Sequence, residues 1–221
     1  MTTIVKVPRF NTILDARARQ IYSPAISTLF ALAPETMKRK YPEANVQQGF
    51  MLAAVLELSR DFPRTKILCV GSYEDTAYES LLRLGVLADG IDPQVNGLDL
   101  EKFVSLNPGR KGTYDVVFST SVLEHVEKDE AFVSDVASLL APGGYGVFTC
   151  DFRNTWQAGE PVPKADYRFY RSDDLGKRLL NAMPKCRLLD VPNWDQFEAD
   201  FEYEGCWYNF ATFTVQRNLG S

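Results

Sequence analysis

A glycine turn between a strand-like run and a helix-like run is the clearest chemical signal in the sequence. Residues 66–70 (KILCV) are apolar after the initial lysine, Gly71 follows them, and residues 73–84 have helical periodicity that stops at Gly85. Asp92 lies 21 residues after Gly71, at the end of a second short strand-like run. A turn of this shape binds nucleotides, and a carboxylate at this offset accepts hydrogen bonds from ribose hydroxyls. The spacing therefore predicts a site for an adenosine group.

The residues of the turn predict which adenosine ligand it takes. Dinucleotide sites use G-x-G-x-x-G, because glycine lets the backbone approach a pyrophosphate. Here Gly71 is followed by Ser72, Tyr73, Glu74 and Asp75, so a diphosphate would meet a bulky ring and two negative charges. S-adenosylmethionine (SAM) has no phosphate, and its sulfonium and ammonium groups are cationic. We therefore predict SAM rather than NAD or ATP, with a capping box of Ser72 and Asp75 as the alternative role for the acid.

The elements that must position this turn follow from the apolar pattern. Strand-like and helix-like runs alternate from residue 66 onward, which predicts a doubly wound, Rossmann-like α/β fold with a mostly parallel sheet. The last two strand-like runs have no room for a helix between them, so we predict an antiparallel last strand. A helical segment precedes the core. The predicted strands are 66–70, 88–92, 114–120, 145–150, 186–191 and 207–216, and the predicted helices lie within 13–62 and at 73–84, 129–140 and 173–183, the last capped by Ser172.

Length, charge and cysteine content limit the class of protein. The 221 residues suffice for one α/β domain, and 45% of them are hydrophobic. A net charge of -5 argues against nucleic acid as a partner, because phosphate binding needs a basic surface. No apolar run approaches the length of a membrane span. Four separated cysteines without a CxxC pair predict free thiols and a cytoplasmic location. The oligomeric state stays open.

The chain resembles the class I SAM-dependent methyltransferases over roughly residues 60 to 217. ILCVGSYEDT lies where the glycine-rich first motif belongs, and GIDP resembles the second motif. The run YDVVFSTSVLEHVEKDEAFVSDVASLLAPGGYGVFTCDF is similar to the fourth strand, helix and fifth strand of the family. The resemblance implies a methyltransferase core at 63–221. It also implies that residues 1–62 form an N-terminal helical lid segment of the same domain, with plain packing on the sheet as the alternative.

The resemblance also implies roles for individual cofactor-binding residues. Gly71 and Ser72 would pass beside the methionine moiety of SAM, next to Tyr73 in the same turn. Asp92 would hold the ribose and Pro93 would flank the adenine. A second group of candidates comprises Asp99 at the adenine amine, and Ser119 and Thr120 along the methyl-transfer channel.

Two residues are candidates for the base that methyl transfer to a hydroxyl requires. His125 is the only histidine and lies one turn beyond the strand at 114–120. Asp151 directly follows the strand at 145–150, at the same edge of the sheet. The alternatives are that His125 orients its loop and that Asp151 caps a turn. Asp151 and a second acid could hold Mg²⁺, but no ligand spacing indicates a metal.

The segment DYRFYRSDDLGKRL is similar to a late segment of family members that act on small molecules and glycans. Tyr167, Arg168 and Tyr170 are therefore the predicted substrate-binding residues, because aromatic rings and guanidinium groups suit sugars and anionic groups. The alternative is a packed aromatic strand with solvated arginines. The predicted function is methyl transfer to a hydroxyl of a sugar, glycan or other small molecule.

Three other functions stay open. The first is methyl transfer to nitrogen or carbon of a small molecule. The second is a binding module that has lost catalysis, since Cys69, Tyr73 and Asp75 replace residues that the family usually has in its first motif. The third, a nicotinamide oxidoreductase, is disfavoured by the acidic turn.

Overall fold

The computed structural model describes residues 5–196 and 198–220. The first four residues of the predicted segment 1–62, and residues 197 and 221 of the predicted core 63–221, lie outside this description. The helices are α1 (Ala16–Ile21), α2 (Ser23–Leu32), α3 (Pro34–Met37), α4 (Asn45–Leu58), α5 (Thr76–Arg83), α6 (Pro93–Asn96), α7 (Leu100–Leu106) and α8 (Asp129–Leu139). The strands are β1 (Ile67–Val70), β2 (Ala88–Ile91), β3 (Tyr114–Thr120), β4 (Leu140–Phe152), β5 (Cys186–Leu188), β6 (Phe201–Tyr203) and β7 (Cys206–Arg217).

The described strands form one sheet in the order β2-β1-β3-β4-β7-β5, and β6 pairs with β7. Strands β2, β1, β3 and β4 are parallel, as the alternation of strands and helices predicted. Strand β7 is antiparallel to β4 and to β5. The predicted antiparallel last strand is therefore confirmed, and the described residues between β5 and β7 contain β6 but no helix.

Helices cover both faces of the sheet, and the strands are apolar on both faces for that reason. Ile67 and Cys69 of β1 face the layer that contains α4, whereas Leu68 and Val70 face the layer that contains α7 and α8. The alternation of side chains along β1 thus divides the core into two layers. All four residues of β1 are buried, so this strand is the rigid base of the glycine turn.

The N-terminal segment is tied to the sheet at two places. Helix α4 is buried along most of its length and packs on β3 and β4. Upstream of α1, the backbone N–H of Leu14 donates to the Phe210 carbonyl of β7 (2.8 Å). Asn11 is fully buried and donates to the Thr214 carbonyl of the same strand (3.1 Å). Packing against the sheet thus describes part of this segment, and the domain boundary at residue 62 stays a prediction.

Residues 93–113, which connect β2 to β3, contain α6, α7 and a 3-10 turn but no strand. The expected cap at Ser172 is wrong: its hydroxyl lies within hydrogen-bond distance of Asn154 Oδ1 (3.1 Å) and of the Trp194 carbonyl (3.0 Å), so its one proton is directed to these acceptors instead. The helix that follows has a π-helical segment at Asp174–Leu179. The four cysteines are free thiols.

No helix in the described part of the chain combines the length and the apolar composition that a membrane-spanning helix needs.

Candidate active site

A cleft of about 1330 Å³ lies at the carboxyl ends of the parallel strands. The ends of successive strands contribute Gly71 after β1, Asp92 after β2, Thr120 at the end of β3 and Asp151 near the end of β4. Residues between 39 and 48 form one wall, and β6 and β7 form another. Ligands of open α/β sheets bind at this edge, because the loops there leave a crevice between the strand ends.

Gly71 is required at the bottom of the cleft for two reasons. Its φ of +83° lies in the left-handed region that favours glycine. A Cβ atom at this position would also lie 2.5 Å from Cγ2 of Val122, which is closer than packed atoms approach. The backbone N–H groups of Gly71 and Ser72 both donate to the Ile91 carbonyl, so the turn after β1 is held against β2.

Asp92 connects the turn after β1 to the helix after β2. The backbone N–H of Gln94 donates to its Oδ1 (2.7 Å), and the backbone N–H of Tyr73 donates to its Oδ2 (3.2 Å). Each carboxylate oxygen has two lone pairs, so both can accept one more hydrogen bond from a ligand. Pro93, the first residue of α6, and Tyr73 line the cleft beside it.

The other four candidate cofactor residues differ in position. Asp99 caps α7 by accepting from the backbone N–H of Lys102 (2.8 Å), and it also lines the cleft. Thr120 lines the cleft, whereas Ser119 is buried in the strand and Ser72 lines a smaller neighbouring pocket. The structure thus brings six predicted cofactor residues to the main cleft: Gly71, Tyr73, Asp92, Pro93, Asp99 and Thr120.

The two acids of the glycine turn have different roles. Glu74 forms an ion pair with Arg39 (3.0 Å) and lies 4.0 Å from the Lys40 ammonium. Asp75 is the N-cap of α5 and accepts from the backbone N–H of Tyr78 (2.8 Å). Asp75 is itself the cap, and not the third residue of a capping box that starts at Ser72. Burial raises the pKa of Asp75, although the bonded amide opposes the shift.

The other end of the cleft contains a fully buried carboxyl group that sequence reasoning did not single out. Glu124 is in a 3-10 turn after β3, and its Oε1 accepts from the Ser121 hydroxyl (2.6 Å). Ser121 has a φ of +54°, which is strained for a residue with a side chain. Gln47 of α4 donates to the same hydroxyl (3.4 Å). The loop after β3 is thus held from both sides.

Asp151 of β4 lies beside Glu124. Burial raises its pKa well above the ordinary value, and the negative charges of Glu124 and Asp166 add to the shift. The Tyr208 hydroxyl of β7 opposes the shift as a hydrogen-bond donor. Two adjacent buried carboxyl groups cannot both ionise at low cost, so they hold a proton between them. Asp151 is therefore a stronger base than a solvated aspartate.

His125 is at the mouth of the cleft. Its Nδ1 lies 2.9 Å from Oδ1 of Asp166 and 3.2 Å from the Ala165 carbonyl, an arrangement that orients the ring and leaves Nε2 free of these two contacts. Burial lowers the pKa of His125, but the Asp166 hydrogen bond and the charges of Glu124 and Asp166 outweigh it and raise the pKa to about 9. The imidazole is therefore mostly protonated at neutral pH, which weakens it as a base.

The three predicted substrate-binding residues lie outside the cleft lining. Tyr170 is fully buried, and its hydroxyl donates to Oδ2 of Asp129 (2.9 Å). Arg168 binds the same carboxylate (2.8 Å) and the Glu127 carbonyl (2.7 Å). Tyr167 is exposed, and its backbone N–H donates to the Glu124 carbonyl. These contacts hold the segment against α8, so the structure does not bring these side chains to the other site residues.

Sequence reasoning also missed residues that reach the cleft from far along the chain. Gln48 Oε1 accepts from the Thr76 hydroxyl (3.0 Å) and from the Ala77 backbone (3.1 Å), which ties α4 to the start of α5. Asp166 and Tyr208 also line the cleft, and they are 42 residues apart in the sequence. A signal existed for Glu124, because it directly precedes His125 in the sequence. The described residues contain no cluster of His, Cys, Asp and Glu with the arrangement of a metal site.

Comparison with known proteins relates this cleft to a family. A family profile described as "Methyltransferase domain" matches residues 43–188. The ubiquinone biosynthesis O-methyltransferase of Shewanella pealeana is 28% identical over 118 residues, which cover 46% of this chain and 50% of that protein. The enzyme of the same name from Burkholderia ambifaria is 34% identical over 92 residues, 34% of this chain and 40% of that protein. The chain spans about half the length of the curated relatives it matches, or less.

Two solved structures share the architecture. A SAM-dependent methyltransferase from Archaeoglobus fulgidus superposes with a TM-score of 0.52 at 12% identity, covering 77% of this chain and 94% of that one. The [4+2]-cyclase SpnF superposes with a TM-score of 0.52 at 13% identity, covering 91% and 96%. At such low identity these likenesses show the fold alone: a Rossmann-like sheet with helices on both faces.

Proposed function

Because the chain belongs to the methyltransferase domain family, we propose that it binds SAM in the cleft and transfers the methyl group to a hydroxyl group of a small molecule or glycan. The observation that carries the proposal is the shared cleft. The glycine turn and Asp92 line one end of it, and the ionisable residues Glu124, His125 and Asp151 line the other. A donor and an acceptor could thus lie next to each other at the ends of β1–β4.

The residues of the first end fit SAM. The glycine at position 71 keeps the turn free of a side chain, and Asp92 retains free lone pairs for ribose hydroxyls. Pro93 and Asp99 border the same region and would flank the adenine. Glu74 and Asp75 add negative charge near the turn, which suits a cationic methionine end, although Arg39 offsets part of it. Bound SAM would supply a methyl group already activated by the sulfonium.

The residues of the second end fit removal of the acceptor proton. We infer that Asp151 takes this proton, because it lies on the strand next to β3 and its raised pKa makes it an effective base once it is ionised. His125 is the weaker candidate at neutral pH, since its pKa of about 9 keeps it protonated. Its positive charge instead offsets the charges of Glu124 and Asp166. As the acceptor oxygen takes the methyl group that bound SAM would supply, the Asp151 carboxylate would take the proton that this oxygen loses.

A hydroxyl acceptor is supported by the names of the relatives from Shewanella pealeana and Burkholderia ambifaria, which are O-methyltransferases. A sugar or glycan is supported by the resemblance of the C-terminal segment to enzymes that act on such acceptors. Aromatic residues of β6 and β7 also line the cleft, and aromatic rings pack well against sugar faces. Cys69, which replaces an acid in the first motif, is fully buried in the core, so it does not occupy cofactor space.

The test combines binding and turnover. SAM affinity of the wild-type protein is measured by calorimetry, and methyl transfer is measured by mass shift with labelled SAM on a panel of sugars, nucleotide sugars and phenols. We expect SAM binding and a product that carries its label on oxygen. Binding without transfer to any acceptor would favour a lapsed module, a labelled nitrogen or carbon would redirect the chemistry, and no SAM binding would contradict the proposal.

A further inference from the structure

The acceptor end of the cleft contains more carboxyl groups than its neighbours neutralise. Glu124, Asp151 and Asp166 come from three separate segments, and each is close enough to influence the charge of the others. His125 is the cation in direct contact with this group. Lys128 and Lys164 also line the cleft, but they are exposed to solvent.

Two oxygen atoms of this group have no hydrogen-bond donor among the described residues. They are Oδ2 of Asp166 and Oε2 of Glu124. The Asp166 side chain is 3% exposed and Glu124 is fully buried, so water does not freely solvate them. A buried carboxylate without a donor costs free energy, and a bound ligand, an ion or an ordered water molecule can supply the missing partner. A proton shared by Glu124 and Asp151 lowers the cost of burying those two carboxyl groups. It does not supply a hydrogen bond to Oδ2 of Asp166.

The part of the cleft wall next to these acids is aromatic. Tyr208 and Phe210 of β7 and Phe201 of β6 line the cleft with ring centroids 4.8 to 5.7 Å apart. Tyr41 from the N-terminal segment packs edge-on against Tyr203 (5.1 Å) at the rim. Aromatic faces attract cations, and the attraction grows when the cation is removed from water. Carboxylates and aromatic rings that line one cleft suit an organic cation better than a hydrated metal ion.

We propose that the acceptor carries a protonated amine, and that this cation binds to Asp166 and Glu124 against the aromatic wall. The chemical class is a hydroxyl compound with a basic nitrogen, such as an amino sugar or an amino alcohol. This inference rests on the proposed function, because it assigns the acceptor of the same cleft. Different acids would lie near the cationic end of SAM, since Glu74 and Asp75 are at the cofactor end of the cleft, beside the glycine turn.

The ammonium would also act on the neighbouring base. A positive charge beside Glu124 and Asp166 favours the ionised form of Asp151, so amine binding expels the shared proton from the carboxyl pair. The acceptor thus creates the carboxylate that then removes the proton from its hydroxyl group. A neutral acceptor would leave the pair protonated. The same contact therefore contributes to binding and to selection of the acceptor.

The experiment uses matched probes that differ in charge. Glucosamine is compared with glucose and with N-acetylglucosamine, and cyclohexylamine is compared with cyclohexanol. Affinities are measured by calorimetry and saturation-transfer NMR at pH 7, with and without S-adenosylhomocysteine. We expect each amine to bind about tenfold or more tightly than its neutral partners, as a charge-assisted hydrogen bond in a buried site implies. Calorimetry in buffers of different ionisation enthalpy should show proton release.

The double variant Glu124→Gln, Asp166→Asn keeps side-chain size and removes both charges, so it should abolish the preference for amines. Asp173→Asn, on an exposed surface ion pair outside the cleft, is the matched control and should keep it. Equal affinity for amines and neutral partners in the wild type would overturn the proposal, as would a preference that survives in the double variant. Failure of the wild type to bind S-adenosylhomocysteine would instead count against the proposed function. The amine titrations without S-adenosylhomocysteine test the present proposal separately.

Discussion

The two ends of the cleft are built in different ways. At the cofactor end, Asp75, Asp92 and Asp99 each cap a helix, so a backbone N–H near in sequence donates to one oxygen of each carboxylate. At the acceptor end, Glu124 and Asp166 each keep an oxygen without a donor, as Asp75 does at the cofactor end. The ends therefore differ in how their acids are held: helix caps hold those of the first end, whereas the acids of the second come from separate segments and act on one another's charge.

The difference indicates where specificity lies. A site made of caps and a glycine turn binds one invariant ligand without rearrangement, and its acids also stabilise the fold. Buried carboxyl groups that lack hydrogen-bond donors reduce the stability of the folded protein. A ligand that supplies the missing donors restores that stability when it binds. We therefore expect substitutions at the cofactor end to affect SAM, and substitutions at the acceptor end to affect turnover.

The largest expected effect is that of Asp151→Asn. The amide keeps the shape of the side chain but cannot take a proton, so turnover should fall by about 10²–10⁴-fold. SAM affinity, measured by calorimetry, should stay within about twofold, because Asp151 lies at the acceptor end. A comparable loss of SAM affinity would erase the distinction between the two ends. Normal turnover in both Asp151→Asn and His125→Ala would remove general-base catalysis.

At the cofactor end, Asp92→Ala should weaken SAM binding by about tenfold or more. The substitution removes the acceptor for ribose hydroxyls and also the cap of α6, each a contribution of roughly 1 kcal/mol or more. Asp173→Ala, outside the cleft, is the control. To separate the two contributions, Asp92→Asn keeps a capping side chain, so it should restore stability more than it restores affinity. Unchanged SAM affinity in a folded Asp92→Ala protein would contradict the assignment.

The predicted substrate segment gives a test outside both ends. Tyr170→Phe removes the hydroxyl that donates to Asp129 and leaves a buried acceptor short of one bond. We expect a loss of about 1–3 kcal/mol in the free energy of unfolding, measured by urea denaturation. SAM affinity and the Michaelis constant for the acceptor should not change. A raised Michaelis constant without loss of stability would instead indicate that Tyr170 binds the substrate.

The smallest expected effect concerns the pH dependence of stability. The pKa of His125 is about 9 in the folded protein and near 6.5 in an unfolded chain. Its contribution to stability is therefore complete below about pH 6.5 and is lost as the pH rises through 9. The melting temperature of the wild type should fall over this range more than that of His125→Gln. Parallel curves for the two proteins would show that the charges of Glu124 and Asp166 do not stabilise the protonated form of His125.

If His125 were the base, its raised pKa would also appear in the rate. Turnover of the wild type would then increase up to about pH 9, because only the neutral imidazole accepts a proton. A rate that is already level at pH 7 would support Asp151. This profile sharpens the comparison between the two candidate bases, since both border the same end of the cleft.

The parallel core could be predicted from the sequence because its signals are local. A strand of apolar residues, the glycine at position 71 and a helix with its cap all act over a few neighbouring residues. The offset of Asp92 placed it at the adjacent strand end, because the length of a βα unit varies little. Six of the eight predicted cofactor residues line the cleft for this reason. Their roles in binding stay predictions.

The acceptor end could not be predicted in the same way. Asp166 and Tyr208 reach it from distant segments, and no spacing in the chain relates them to Glu124. The run around Tyr170 and Arg168 suggested ligand binding by its residue types, yet the fold turns these side chains toward Asp129. Residue type indicates which contacts a side chain can make, but packing decides which partner is present.

The sequence by itself determined the alternation of strands and helices in the parallel core, the glycine turn and the carboxylate after β2, because hydrogen bonds and apolar periodicity along the chain specify them. Only the tertiary structure decided the charge states at the other end of the cleft. Burial beside Glu124 makes Asp151 a stronger base, and contact with Asp166 makes His125 a weaker one at neutral pH. A pKa depends on solvation and on charges a few ångströms away, and those distances exist only after folding.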